Sequence, residues 1–185
     1  SLAIRPPAFY DKQNVELVSG RVTAINRLQK TLQLSDGREL SYDKLALCTG
    51  TRAIRLSIPG ATLGGVHGLR SQADVEAIRR DLSTARRAVI VGGGYIGLEA
   101  AASLRKQGLE VVVLERAERI LQRVTAPEVS AFYQRVHHEA GVVIRTGVTV
   151  TAFEGDGQVE RVTCSDGACY PADVVIVGVG VIPNA

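Results

Sequence analysis

The stretch VIVGGGYIGLEAA, residues 89–101, decides how the rest of the chain is read. Four apolar residues at 88–91, three of them β-branched, run into three consecutive glycines and then into helix-forming sequence. Gly92, Gly94 and Gly97 fit the spacing G-x-G-x-x-G, with a strand before and a helix after. In that arrangement the first glycine permits a tight turn, the second lets backbone approach a pyrophosphate, and the third lets helix and strand pack closely. The phosphates then meet the positive end of the helix and its free N–H groups. On their own the glycines need make no more than a tight strand–helix turn. The second strand adds weight: Val111–Leu114 ends at Glu115, 18 residues after Gly97, the place where a carboxylate accepts hydrogen bonds from an adenosine ribose. An acid there repels a 2′-phosphate and favours NAD(H), whereas its neighbour Arg116 has the chemistry to pair with one. Arg116, Arg119 and Arg123 also read as one exposed face of a turn or helix.

Outward from this motif the chain reads as an α/β protein, a Rossmann-like unit. Ala88–Val91 and Val111–Leu114 are short, β-branched runs of the kind buried on both faces of a parallel sheet. Residues 96–107 are expected to be helical, closed by Gly108 in the C′ position. A second helix opens with Thr125-x-x-Glu128 as a capping box and carries the stripe Val129, Phe132, Tyr133, Val136 and Ala140 until Gly141. Val142–Ile144 and Val174–Val177 are further strands. Another helix begins near Ser71, with Val75, Ile78 and Leu82 as its apolar face.

Two parts of the chain repeat each other. LQLSDGRELSYDKLALCTG (32–50) and VTCSDGACYPADVVIVGVG (162–180) share a Ser-Asp-Gly turn, an apolar return strand and a terminal glycine at a constant shift of 130 residues. Asp43 matches Asp173, Leu45 matches Val175, Leu47 matches Val177 and Gly50 matches Gly180. Each Asp-Gly suits a tight hairpin, and a short alternating strand precedes each copy, GRVTAI at 20–25 and GVTVTAF at 147–153. This agreement in several parts points to duplication. The second copy has a βαβ lead-in that starts 59 residues before Gly147, while 19 residues precede Gly20. The chain is therefore expected to be a fragment, holding the tail of one nucleotide-binding unit in 1–70 and most of a second in 71–185.

Composition narrows the classes of function. Hydrophobic residues make up 45% and charged residues 22%, and the net charge is +3, too small to argue for nucleic acid. No apolar run approaches the eighteen or so residues of a membrane helix. The N-terminal residues lack the apolar core of a signal peptide. Three cysteines, Cys48, Cys164 and Cys169, suit a reducing, cytoplasmic setting and small apolar roles. His67, His137 and His138 show no metal-ligand spacing, the last two being placed partly exposed on the second helix.

GGGYIGLEAA, RVTAPEVSAFYQRVHHEAG, YDKLALCTG and GVGVIPN together resemble the FAD-dependent pyridine-nucleotide oxidoreductases, and within them the ferredoxin, rubredoxin and putidaredoxin reductases. The resemblance covers essentially the whole chain. It implies two related Rossmann-like domains, FAD first and NAD second, the NAD domain having a three-layer ββα form and being inserted into the FAD domain. It also implies roles for individual residues. Gly92, Gly94, Tyr95, Ile96, Gly97, Glu115, Arg116 and Arg123 would bind the dinucleotide, with Tyr95 as a lid over the flavin. Glu99 would contact the nicotinamide carboxamide, a role favoured over the alternative of a stabilising charge near a helix N-terminus. Gly178, Val179 and Gly180 would line the nicotinamide half. Thr49, Gly50, Arg70 and Val22 would contact FAD. No side chain is assigned to acid–base catalysis and none to a metal. The implied activity passes electrons from NADH through FAD to a small iron–sulfur carrier, a [2Fe–2S] ferredoxin or rubredoxin, serving an oxygenase. A flavin is needed because NADH gives two electrons and the cluster takes one. Rival readings are an NADH oxidase, a nitrite-reductase-like or disulfide-reducing flavoenzyme, and a non-enzymatic NADH-binding module.

Overall fold

The strand that runs into the glycines, Arg87–Val91, has two dry faces: Ala88 and Ile90 enter one core cluster, Val89 and Val91 another. Such a strand needs a layer on each side. The computed structural model, which describes residues 4–184, provides both. The chain forms two units that divide between Cys48 and Thr49.

The first unit contains α1 (Pro7–Lys12) and the antiparallel strands β1 (Val22–Asn26), β2 (Thr31–Leu34) and β3 (Glu39–Ser41). The second continues with β4 (Thr51–Ala53), β5 (Val66–Gly68), α2 (Gln72–Leu82), β6 (Arg87–Val91), α3 (Tyr95–Lys106), β7 (Glu110–Leu114), α4 (Pro127–Glu139) and β8 (Val142–Arg145). It ends with β9 (Val150–Glu154), β10 (Arg161–Cys164), β11 (Cys169–Pro171), β12 (Val174–Val177) and β13 (Val181–Pro183). A five-stranded parallel sheet has the order β5-β12-β6-β7-β8. On one face Ile78 of α2 and Ala100, Ala101 and Leu104 of α3 pack on the sheet. On the other lies the meander β9-β10-β11, through Val150, Phe153, Val162 and Cys164. This is the three-layer ββα arrangement, and each fully buried Val or Ile in it contributes roughly 1.5–3 kcal/mol. β4 and β5, which precede residue 71, pair with β13 and β12 within the second unit.

The repeat is carried into the hydrogen bonds. β2 and β3 pair Thr31 with Ser41 and Gln33 with Glu39; β10 and β11 pair Arg161 with Pro171 and Thr163 with Cys169. Both meanders carry a register shift at the same place, after Val22 in one and after Val150 in the other. The residues passed over, Thr23 and Thr151, each donate a side-chain hydrogen bond to the neighbouring strand, to Gln33 O and Thr163 O, both at 3.1 Å. Surroundings differ sharply, however. Val150 is 8% exposed and its counterpart Val22 47%; Val177 is 7% exposed and Leu47 65%. The strand expected after Lys44 does not form. Residues 45–50 pair with no strand among the described residues, so nothing holds them extended or dries their apolar side chains.

Other expectations also shift. α4 starts at Pro127, with Ala126 as N-cap and no side-chain cap, in place of the Thr125 capping box. Proline's fixed φ suits the first helical position, and the Thr125 hydroxyl instead donates to Leu121 O at 3.1 Å. Val129, Phe132 and Val136 are exposed; the inward face consists of Ser130, Tyr133 and His137. His137 is thus buried and only His138 exposed. On α2, Ile78 is buried while Val75 is exposed, since the short β5 edge beneath covers little of the helix. Of the cysteines only Cys164 is a core side chain, and burial pushes its thiol up to about 11; Cys48 and Cys169 are exposed.

Asp173 ties the start of β6 to the start of β12. Its Oδ2 accepts N–H bonds from Arg86 and Arg87, both at 2.9 Å, and Oδ1 accepts from the Arg87 guanidinium at 2.8 Å. The Arg87 bond first, then the two backbone N–H groups, hold this carboxyl below its ordinary value. A lowered folded value means stability that is present above the ordinary carboxylate range and lost as pH falls through the folded value. Asp173→Asn is expected to lower the urea midpoint at neutral pH, with the gap from wild type closing in acid; midpoints measured across pH check this.

Candidate functional site

The parallel register brings Gly68, Val177, Val91, Leu114 and Arg145 to one edge of the sheet. All the segments that follow these strands therefore emerge at the carboxyl ends, where open α/β sheets bind ligands. From β6 the chain enters Gly92 at φ 110°, where a Cβ would stand 2.5 Å from the Gly178 carbonyl oxygen. Gly92 N–H donates to Leu114 O at 2.8 Å. A Cβ on Gly97 would collide with the Gly92 carbonyl, so these two glycines let helix, turn and β12 loop close on one another. Gly94 differs. Its φ is −81°, an ordinary value, and a Cβ there would meet nothing within 4 Å. As the N-cap of α3 it also brings no side chain to the free N–H groups of the first turn. The space beside Gly94 is empty of protein and lies at the positive end of a helix, so it fits a diphosphate.

Glu115, half-buried after β7, reaches back to this turn. Its Oε2 accepts the Gly93 N–H at 2.6 Å and its Oε1 the Ala117 N–H at 2.7 Å. A carboxylate has about four acceptor sites, which leaves capacity for two sugar hydroxyls. Gly93, the position the glycine fingerprint leaves free, proves constrained as well. A Cβ there would stand 2.7 Å from Ile120 Cγ2, and Leu121 N–H donates to Gly93 O at 2.9 Å. The third adjacent glycine was the available signal for this. Ile120 is fixed in turn by Ser130, whose hydroxyl donates to Ile120 O at 2.6 Å and accepts from Arg119 at 2.6 Å. Arg119 is therefore engaged within the fold, apart from the exposed Arg116 and Arg123 with which the sequence grouped it.

Glu99 lies in the second turn of α3, because the helix begins at Tyr95 and its first turn holds no acid. The charge-at-the-terminus explanation loses ground accordingly; Glu99 is exposed. Tyr95 and Ile96 are exposed on the first turn, with the Tyr95 ring edge-on to Tyr133 at 6.3 Å. Gly178, Val179 and Gly180 follow β12 beside the turn, Gly178 N–H donating to Val91 O at 2.8 Å. Thr49, Gly50 and Arg70 gather at the β4–β13 ribbon. Asn184 donates from its amide side chain to Thr49 O at 3.2 Å and from its backbone to Gly50 O at 3.0 Å. Arg70 Nε donates to Thr51 O at 3.2 Å. Val22 belongs to the first unit, exposed beside its register shift. Among the described residues no helix is long and apolar enough to cross a membrane.

The family model of pyridine nucleotide-disulphide oxidoreductases matches residues 5–185. Putidaredoxin reductase CamA of Pseudomonas putida is 49% identical, with all of this chain and 45% of that protein covered. A crystal structure of the ferredoxin reductase for the CYP199A2 system from Rhodopseudomonas palustris superposes with a TM-score of 0.90 at 41% identity, covering 100% of this chain and 46% of that one. The covalent putidaredoxin reductase–putidaredoxin complex gives a TM-score of 0.85 at 47% identity, covering 98% and 45%. The chain thus spans a little under half the length of these relatives.

The contrast between glycines is testable. Gly94→Ala is expected to keep the thermal midpoint of wild type while weakening dinucleotide binding about tenfold or more, the cost of overfilling a packed contact. Calorimetric titration alongside thermal melting checks both parts.

Proposed function

Because the chain belongs to the pyridine nucleotide-disulphide oxidoreductase family, we propose that it is the NADH-binding portion of a flavoprotein reductase that serves a small iron–sulfur electron carrier. The observation that carries this reading is the protein-free space beside Gly94 at the α3 N-terminus, with the Glu115 carboxylate at its flank. The N–H groups of α3's first turn hold the diphosphate, and Glu115 holds the adenosine ribose through its unused acceptor sites. Gly178, Val179 and Gly180 leave room for the nicotinamide half, with Glu99 addressing the carboxamide and Tyr95 and Ile96 bordering the entrance. Arg116 and Arg123 lie on the exposed rim on the adenosine side. Together the two cofactors supply hydride transfer from NADH and its division into single electrons.

FAD belongs in this reading to the longer protein, with Thr49, Gly50, Arg70 and Val22 contributing to its site. The exposed apolar side chains of the first unit support it, since Val22, Ile25, Leu45 and Leu47 correspond to Val150, Phe153, Val175 and Val177, which lie together in a buried cluster of the second. In this reading residues 71–185 form the NAD(H)-binding domain, and those before them are the C-terminal portion of an incomplete first FAD-domain segment. The partner proposed is a [2Fe–2S] ferredoxin or rubredoxin, and the acceptor system an oxygenase. The names of the relatives support both, one being solved in covalent complex with putidaredoxin. The activity is that of an NADH-dependent ferredoxin reductase, and the location proposed is the cytoplasm.

The intact protein with FAD is expected to reduce ferricyanide and a [2Fe–2S] ferredoxin with NADH, and more slowly with NADPH. No turnover with FAD bound would overturn the reading; NADH consumption with oxygen alone as acceptor would favour an oxidase. Glu115→Gln replaces a charged acceptor with an amide, and NADH affinity is expected to fall about tenfold, as for loss of a charge-assisted hydrogen bond. Titrating both coenzymes separates that effect from general loosening, because NADPH binding should fall less.

A further inference from the structure

The non-glycine residues with positive φ among those described are Asn14, Lys30 and Leu121. Asn14 and Lys30 sit in exposed turns, but Leu121, at φ 55°, is 3% exposed. A leucine in the left-handed region strains the backbone, and such strain persists only where the surroundings over-determine it. Leu121 lies in the loop between β7 and α4, and its neighbours there are what fix it.

Three successive carbonyls of this loop each accept a hydrogen bond from a side chain. Ser130 Oγ donates to Ile120 O at 2.6 Å, Thr125 Oγ1 to Leu121 O at 3.1 Å, and the Arg119 guanidinium to Gln122 O at 3.1 Å. The three side chains also converge on one atom. Ser130 Oγ accepts from Arg119 at 2.6 Å and lies 3.2 Å from Thr125 Oγ1. A serine inside a helix can bond back to the carbonyl four residues earlier. This one, 2% exposed, turns instead to a carbonyl ten residues earlier, so its hydroxyl serves the loop rather than α4.

The strained residue acts on the glycine turn. Leu121 N–H donates to Gly93 O at 2.9 Å, and Ile120 Cγ2 crowds the place of a Gly93 Cβ. The same glycine meets Glu115, whose Oε2 takes the Gly93 N–H at 2.6 Å. Gly93 is therefore gripped by its carbonyl from the loop and by its N–H from the carboxylate. We propose that Ser130 is a positioning residue for the choice of coenzyme: its hydroxyl holds the loop that keeps Leu121 left-handed, which pins Gly93 and so fixes the Glu115 carboxylate where it accepts a ribose and repels a 2′-phosphate. This rests on the dinucleotide reading above and adds to it what sets the preference. When the loop loosens, NAD+ loses a fixed acceptor, whereas NADP+ is also relieved of a fixed repulsion.

The test uses the intact protein with FAD bound, titrated calorimetrically with NAD+ and with NADP+, neither of which reduces a flavin. Wild type is expected to bind NAD+ more tightly. In Ser130→Ala, NAD+ affinity is expected to fall about fivefold, the worth of one net hydrogen bond, and NADP+ affinity less, so that the ratio between them shrinks. Thr125→Val removes a hydroxyl from the less buried edge of the same cluster and should shrink the ratio in the same direction, which gives a result even where Ser130→Ala fails to fold. Asp173→Asn loosens the amino ends of β6 and β12, away from the loop, and should leave the ratio as in wild type. Equal losses for both coenzymes in Ser130→Ala and Thr125→Val, or the same shrinkage in Asp173→Asn, would overturn the proposal alone. Absence of NAD+ binding, or no preference for NAD+ in wild type, would overturn it together with the reading beneath it.

Discussion

A run of three glycines has little shape of its own, and the backbone from Gly92 to Gly94 is held by what surrounds it. The Leu114 carbonyl takes the Gly92 N–H, the Glu115 carboxylate takes the Gly93 N–H, and Leu121 donates to the Gly93 carbonyl. Every one of these partners lies on β7 or in the loop that follows it. The side chain read from sequence as a sugar ligand is also the brace that shapes the glycine turn. Coupling the two tasks in one carboxylate explains why the acid stands at the end of the neighbouring strand: only a strand adjacent to β6 brings a side chain within 2.6 Å of that N–H. The turn is fixed by hydrogen bonds from within the protein, and preorganisation of this kind spares binding the cost of ordering a loop.

The two meanders show how far context governs the fate of similar sequence. Turn, register shift and threonine bridge recur in both, since they depend on contacts inside a hairpin. The return strand depends on neighbours. VVIV at 174–177 sits between β5 and β6 and is wholly buried, whereas LALC at 45–48 has no adjacent strand among the described residues and is irregular. Local rules thus reproduce the hairpins in each copy, and tertiary pairing decides whether an apolar run becomes a strand.

Much of this was legible from residues alone. The βαβ unit, the helix-closing Gly108 and the hairpins at Asp36-Gly37 and Asp166-Gly167 follow from turn chemistry and burial on two faces. The course of α4 was not. Hydrophobic periodicity selects Val129, Phe132 and Val136 as the inward face, yet Ser130 and His137 point inward because carbonyls of Ile120, Tyr133 and Leu98 await them there. Periodicity weighs apolar area and cannot register a hydrogen-bond partner supplied by a distant segment. The role of Gly93 escaped the fingerprint for a similar reason. Its constraint comes from Ile120, a residue in a loop whose path no local pattern specifies.

The choice between coenzymes in the proposed reading comes down to unequal surroundings for two adjacent charges. Glu115 is half-buried and pinned through both oxygens, so its charge acts at a fixed place with little water between it and a ribose. Arg116 is exposed, and an exposed cation attracts a phosphate across solvent with a strength of about 1 kcal/mol or less. Turning Arg116 onto a 2′-phosphate would also order a long side chain, at a cost of up to about 2 kcal/mol in lost rotamers. The acid pays no such entropy, because the Gly93 and Ala117 N–H groups already hold it. In the proposed reading, repulsion from the fixed carboxylate therefore outweighs attraction to the mobile guanidinium, and the pair Glu115-Arg116 would favour the coenzyme without the extra phosphate.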